Sequence, residues 1–420
     1  MKPISPFGLP LGISIVVWGF IGMLRLISER FIRVKKRKKS HTKFKPSDIA
    51  VLVPAHNEEP VITECIQAIK TQLSPKQIYV ISDGSTDKTY EKAKREGCHV
   101  SRLTPGRGKA KALVYLLKHY CLFNKYKLIF TVDADTEIDK HFVKRALMLF
   151  DDPEIAVVFG TARIHWPEHI IPKLSIYFIA YRERLNKMLQ YFLIYGQTWK
   201  YTNVNYVIPG FANIYKSEIL KQLEIDTPGL LIEDFNLAFQ VHRKKLGKIG
   251  YNLGLIGWDQ HPDNLDDYWK QVKRWNIGFF QTVKKNGVWP SFFWLALGVF
   301  SAEIILQSLF LLVLPIHIFF LILPSFAYIH PMLKTVSLGY NQITPFSYLH
   351  LADIYIGVFL FDYLVTLAIG WINKKPQFTF YGLFFFFMHY VTSLILVASI
   401  IPGFFSQSSG RWISPKRQPL

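Results

Sequence analysis

IAVLVPAHNEE (residues 49–59), QIYVISDGSTD (77–87) and LIFTVDAD (128–135) share one design: a short, β-branched apolar run that breaks off into a polar, acidic turn. Runs of about four to eight such residues bounded by turn formers read as buried strands. Between them lie stretches rich in Lys, Ala and Glu, so the alternation predicts an α/β domain built on a parallel sheet between Ser47 and Gly287. Ligands of such sheets sit beyond the carboxyl ends of the strands. The residues just after each run are therefore the first candidates for chemistry.

After the first run, the backbone following Pro54 and the carboxylate of Glu58 are candidates for holding a nucleoside. After the second, Asp83 can accept hydrogen bonds from a base N–H or a ribose hydroxyl. Asp-Gly-Ser taken alone also fits a turn with a helix cap. After the third, Asp133 and Asp135 place two carboxylates one residue apart, an arrangement a cation relieves. Mg²⁺ or Mn²⁺ held by one or two carboxylates and a diphosphate fits this pattern, and as a Lewis acid it steadies the charge growing on a departing phosphate.

Three further segments carry candidates. Gly106 to Leu113 is a glycine-bracketed basic turn opening a helix, able to approach phosphate or to serve as a solvated basic face. Glu233 and Asp234 follow a Leu-Leu-Ile run and supply a candidate general base, while an acidic pair opening a helix is the plainer reading. Gln271, Arg274 and Trp275 fall on one helical face by i, i+3, i+4 spacing. Arg pairs with diphosphate and Trp stacks on sugar rings, and the same helix also suits a membrane surface.

Taken in order, PAHNE at Pro54–Glu58, SDGSTD at Ser82–Asp87, DAD at Asp133–Asp135, IED at Ile232–Asp234 and QVKRW at Gln271–Trp275 resemble the processive family 2 glycosyltransferases. These include the synthases of cellulose, chitin, hyaluronan and poly-N-acetylglucosamine. The resemblance implies a GT-A fold and inverting transfer from a UDP-sugar to a growing β-linked chain, through a channel between membrane helices. It assigns Asp83 to uracil, Asp133 to ribose or diphosphate, Asp135 to the metal with Asp133 beside it, and Asp234 to the base with Glu233 adjacent. Gln271, Arg274 and Trp275 line the diphosphate and acceptor sites, and Lys109 matches a basic residue many members carry ahead of the metal motif. N-acetylglucosamine is the first donor sugar the resemblance suggests and glucose the second. Ile232 stands where many members have Thr, and Pro209–Lys216 departs from the usual Gly-rich acceptor segment ending in two arginines.

The flanks set the surroundings. The chain of 420 residues is 50% hydrophobic with a formal charge of +20, and nine Lys/Arg lie between Arg30 and Lys45, directly after the apolar run Phe7–Leu24. Basic residues so placed meet the anionic cytoplasmic leaflet, which accounts for the charge through topology and speaks against a nucleic-acid role. Cys65, Cys98 and Cys121 have no metal spacing and read as reduced packing thiols. The expected organisation is an anchor over 1–28, a basic collar over 29–46, a cytoplasmic GT-A domain over 47–260, an interfacial helix region over 261–291, a membrane region over 292–403 and a tail over 404–420. Apolar runs at Phe292–Leu323, Asp353–Ile372 and Phe380–Ile401 predict four or five spans with the anchor, depending on whether the first crosses once or twice at Pro315. Glu303, Asp362 and His389 within these runs should face a bundle interior or a polar path.

The reading that follows is a multi-pass plasma-membrane transferase with a UDP-sugar donor, an oligosaccharide or polysaccharide acceptor, a lipid bilayer around its spans and export or accessory subunits as partners. A single-addition enzyme acting on a lipid or lipid-phosphate acceptor shares the nucleotide and metal motifs but has no need of Gln271–Trp275. A transferase-like assembly subunit has no reason to keep mutually repelling carboxylates.

Overall fold

The computed structural model describes residues 43–166, 173–192 and 199–408, with a few positions between 17 and 27. The three decisive runs are strands: β1 is Ile49–Ala55, β2 is Ile78–Asp83 and, after β3 at His99–Leu103, β4 is Leu128–Val132. Every residue of β1, β2 and β4 is buried, as strands covered on both faces require. β5 (Glu137–Ile138), β6 (Ile155–Ile164), β7 (Ala212–Lys216) and β8 (Lys248–Asp259) complete an eight-stranded sheet in the order β3-β2-β1-β4-β7-β6-β8-β5.

The predicted all-parallel sheet is corrected by this order. β1 to β4 are parallel, but β7 runs antiparallel to both β4 and β6, and β5 runs antiparallel to β8. Apolar periodicity marks a strand without marking its direction. β7 pairs antiparallel with its neighbours on both sides, so it enters the sheet from the opposite end to β4 and β6.

Helices cover the sheet with faces the sequence spacing dictates. On α1 (Ile62–Lys70) the buried residues Ile62, Cys65, Ile66 and Ile69 follow i, i+3, i+4, i+7. The same logic seats α3 (Lys109–His119) and α4 (Phe142–Leu149), with α2 (Thr89–Arg95) shorter. Pro54 is tolerated inside a central strand because the ladder from β1 to β4 stops at Leu52. Cys65 does pack in the core, whereas Cys98 is half-buried and Cys121 is exposed at the end of α3, which corrects its reading as a packing thiol.

Four long helices and three shorter ones complete the frame. α5 is Lys173–Phe192, α6 is Glu233–Arg243, α7 is Leu265–Asn286, α8 is Phe292–Ile322, α9 is Met332–Ile343, α10 is Phe361–Ile372 and α11 is Phe385–Phe405. α7 starts with Asn264, whose side chain accepts the Asp267 amide at 2.9 Å, and ends at Gly287 with φ of 67°. Among the described residues, three helical stretches are long and apolar enough to cross a membrane: Phe292–Phe326, Leu351–Ile372 and Gln377–Phe405. α8 continues as one helix past Pro315, so this run is one helical stretch. Leu295, Leu306, Phe319, Phe361, Leu364 and Phe387 lie exposed along these helices, an apolar surface of the kind lipid covers. Most of the anchor at Phe7–Leu24 and most of the basic collar fall outside the described residues; of the described part, Trp18 belongs to an apolar cluster with Phe239, Phe293 and Leu297.

Asp362 and His389 meet inside the bundle. His389 Nε2 lies 3.1 Å from Asp362 Oδ2, and Arg184 of α5 donates to the other carboxylate oxygen. Arg184 Nε also donates to Thr366 Oγ1 at 2.8 Å. The pairing leaves no charge of this group facing lipid and pins α5 to α10 and α11.

Candidate active site

Loops beyond β1 and β2 are knitted into one platform. Asn57, at φ of 56°, donates its N–H to Ser85 Oγ at 3.1 Å and accepts the Thr86 amide at 2.8 Å. The Glu58 amide donates to Thr89 Oγ1 at 2.9 Å and the Glu59 amide to Asp87 at 3.1 Å. His56 Nδ1 sits 2.7 Å from the Asp83 carbonyl.

Asp83 is buried, and its two carboxylate oxygens accept the amides of Arg107 and Gly108, each at 2.7 Å. The basic turn therefore points its amides at a protein carboxylate rather than outward. A carboxylate oxygen has a second lone pair, so this role leaves Asp83 able to accept from a ligand. Gly84 is obligatory here. It has φ of +68°, and a Cβ on it would meet the Gly106 nitrogen at 2.7 Å.

The centre of the site is Lys109, the first residue of α3. Its ammonium lies 2.7 Å from Asp133 Oδ1 and 3.4 Å from Glu233 Oε1. Burial works against its charge, but the carboxylates of Asp133, Glu233 and Asp234 outweigh that and hold it well above the ordinary lysine range. Glu233 and Asp234 are the first two residues of α6, so the helix-opening reading and the functional one hold together. Asp234 is pushed up to about 7, by burial first and then by Glu233, with Lys109 and the Gly210 amide acting in the opposite direction.

Gly210 is what lets these groups close. Its amide donates to Asp234 Oδ2 at 3.0 Å, and a Cβ at this position would lie 2.4 Å from Lys109 Nζ and 2.9 Å from Asp234 Oδ1. Asn213 of β7 holds the preceding turn by donating to the Pro209 carbonyl at 2.9 Å. The antiparallel strand missed from the sequence thus delivers the turn that seats the acidic pair. Gly278 of α7 does the same from the other side, since a Cβ there would press on Ile232 at 3.0 Å.

A cavity of about 550 Å³ runs from this cluster. Its lining includes Glu58, Asp133, Asp135 and Asp234, then Gln271, Arg274 and Trp275 of α7, and Phe300, Ser301 and Ile304 of α8 with Thr392 and Leu396 of α11. Every sequence-predicted site residue except Pro54 and Asp83 reaches it. Those two stand behind it, Pro54 inside β1 and Asp83 under the α3 turn.

Three wall residues carried no signal in the sequence reading. The Arg182 guanidinium of α5 lies over the Trp275 ring at 4.4 Å, so one face of that indole is covered. Arg182 Nε also donates to His261 Nδ1 at 3.3 Å, and His261 Nε2 lies 3.2 Å from Asp259. Arg182 and His261 are 79 residues apart, so only the fold joins them.

The donor chemistry fits a hard divalent cation. Asp133 and Asp135 line the cavity together, and Asp259, which lines it too, has its Oδ1 buried without a hydrogen-bond partner among the described residues. Among the described residues no three acidic, His or Cys side chains form an all-protein cage. Mg²⁺ is ordinarily held by one or two carboxylates with substrate phosphates completing the shell.

Residues 50–223 match the model of glycosyl transferase family 2. The chain is 24% identical over 252 residues to a poly-β-1,6-N-acetyl-D-glucosamine synthase of Staphylococcus epidermidis, covering 58% of this chain and 57% of that protein. The corresponding synthase of Staphylococcus aureus strain COL is 25% identical over 283 residues, covering 64% and 65%. The chain thus spans less than two thirds of the length of these relatives. A mannosyltransferase from Pyrobaculum calidifontis, solved with GDP-mannose and Mn²⁺, superposes with a TM-score of 0.50 at 15% identity over 96% of this chain and 99% of its own. That likeness extends through the apolar helices and identifies the fold as GT-A-like.

Proposed function

We propose, from the premise that this chain carries a family 2 glycosyltransferase domain over residues 50–223, that it transfers a sugar from a UDP-sugar to the end of a growing β-linked polysaccharide. The observation that carries the reading is the single cavity joining the carboxylate cluster, the Gln271–Trp275 face and the apolar helices. A nucleotide-sugar, a chain end and an exit toward the membrane region can all be accommodated along it. The similarity to poly-N-acetylglucosamine synthases supports a polymer product and makes N-acetylglucosamine the first sugar to try.

In this mechanism Asp234 takes the proton from the acceptor hydroxyl as its oxygen forms a bond to the anomeric carbon. The bond from that carbon to the diphosphate breaks, and the electron pair leaves with UDP. A carboxylate poised near 7 is suited to accept a proton at neutral pH. Lys109 keeps Asp133, Glu233 and Asp234 in one place despite their repulsion. Mg²⁺ or Mn²⁺ held by Asp135 with Asp133 would supply Lewis-acid stabilisation of the leaving diphosphate. Gln271 and Arg274 face the diphosphate and acceptor, and Trp275, with Arg182 on one face, offers its other face to a sugar ring. Three apolar helical stretches long enough to cross a membrane support a membrane location; in this reading the protein sits in the plasma membrane with the transferase domain on the cytoplasmic side, and export or accessory subunits would take up the product.

Trp275 separates polymerisation from single transfer. Trp275→Ala is expected to shorten or abolish polymer while UDP-sugar affinity, measured by calorimetry, stays near the wild-type value. Full-length polymer from this variant would favour single addition to a lipid or lipid-phosphate acceptor instead.

A further inference from the structure

Helix α5 has three chemically different faces. Arg182, Leu185, Asn186 and Gln190 line the cavity, while Tyr181 and Arg184 meet the apolar helices. The third face carries Glu183 and Lys187, four residues apart on one side of the helix. Lys187 is only 3% exposed, yet among the described residues its ammonium makes no hydrogen bond and no ion pair. Burial works against its charge, Glu183 favours it, and Arg163 and Lys375 oppose it. Glu183 is already engaged, since its carboxylate accepts the Trp166 indole N–H. The Lys375 ammonium lies over the same indole at 4.1 Å. One carboxylate thus stands among three cations drawn from β6, α5 and the turn after α10. Three cations around a carboxylate that is already bonded to Trp166 repel one another, and an anion from outside would relieve that repulsion.

The position of the cluster says which anion. Lys375 lies in the short turn that joins the apolar stretches Leu351–Ile372 and Gln377–Phe405. Trp371, one turn before it, is 85% exposed. Aromatic and basic residues at the end of an apolar helix mark the depth of lipid headgroups. We propose that Lys187, Arg163 and Lys375 form a binding site for the phosphate of an anionic phospholipid headgroup, held between the transferase domain and the membrane helices. The proposal rests on the reading of these helices as membrane spans and is independent of the transfer chemistry. Occupancy would clamp α5, whose opposite face carries Arg182 over Trp275.

The test uses the full chain purified in neutral detergent, titrated with phosphatidylglycerol or phosphatidylcholine and followed by native mass spectrometry. Wild type should retain phosphatidylglycerol in preference to phosphatidylcholine. Lys187→Met should bind it about fivefold or more weakly, the effect of one basic residue at an anionic surface. Lys375→Met should weaken it similarly, and Lys187→Arg, which keeps the charge, should retain it. Thermal melts of each variant show that the fold is intact. Retention by Lys187→Met equal to wild type overturns the site. If inorganic phosphate displaces the lipid, the free anion is the ligand and the lipid assignment is wrong. Flotation with phosphatidylcholine vesicles tests the membrane reading separately: loss of flotation removes that reading, whereas flotation without a preference for phosphatidylglycerol removes only the site.

Discussion

Asp234→Asn is expected to lower sugar transfer by roughly 10²–10⁴-fold while UDP-sugar binding stays near wild type, the usual cost of losing a positioned base. The amide keeps the shape of the carboxylate and the contact with the Gly210 amide but accepts no proton. The pH profile should report the same group. Because the base acts in its ionised form and sits at about 7, kcat/KM should rise with pH through that region and level off above it. The sign for stability is the reverse. A carboxyl whose folded value lies above its unfolded value holds its proton more tightly when folded, so its contribution is lost as pH rises from the ordinary carboxylate range to about 7. At pH 8 the neutral Asn should therefore not lower the melting temperature. Wild-type turnover by this variant would move the base elsewhere, and a collapsed melting temperature would mean that the charge was structural.

Lys109→Met should have the largest effect on the fold of the site. It removes the cation between Asp133 and Glu233 and leaves three carboxylates to repel one another. Breaking a buried pair costs about 3–5 kcal/mol, and the residual 22% exposure of Lys109 places the expectation near the lower end. Denaturant unfolding measures it. Since Lys109 lowers the value of Asp234, the rising limb of kcat/KM should also move to higher pH in this variant. Adding Asp133→Asn should recover part of the lost stability, because the two changes act on one interaction. Strict additivity of the two would show that the cluster is not a coupled unit.

What the sequence made readable follows from range. β1, β2 and β4 announce themselves because burial on both faces demands unbroken β-branched runs, and their acidic turns stand at the expected ends. The carboxylates Asp133, Asp135, Glu233 and Asp234 were legible for the same reason, as polar residues placed abruptly after strands or runs. The role of Asp83 was not. Its partners are the amides of Arg107 and Gly108, and backbone donors leave no mark in a residue string. β7 was missed because only five residues long and ending in Lys216 it lacks a decisive apolar run, and its direction has no local signature. α5 was the greatest loss. Arg182, Arg184 and Lys187 fall on three different faces of one helix and form no motif, and their surroundings, His261, Asp362 and Lys375, are brought to them by elements far along the chain. Gly210 shows the same limit, since the need for a bare Cα is visible only once Lys109 and Asp234 are in place.

The most direct measurement of the central claim is turnover by the full chain in lipid nanodiscs, offered a panel of UDP-sugars with Mg²⁺ or Mn²⁺ and followed by UDP release together with product length. One UDP-sugar should support turnover to a long polymer, excess chelator should abolish it, and Asp135→Ala should lose it even with metal present. Full turnover in chelator, or UDP release without any extended product from every donor, would contradict the account.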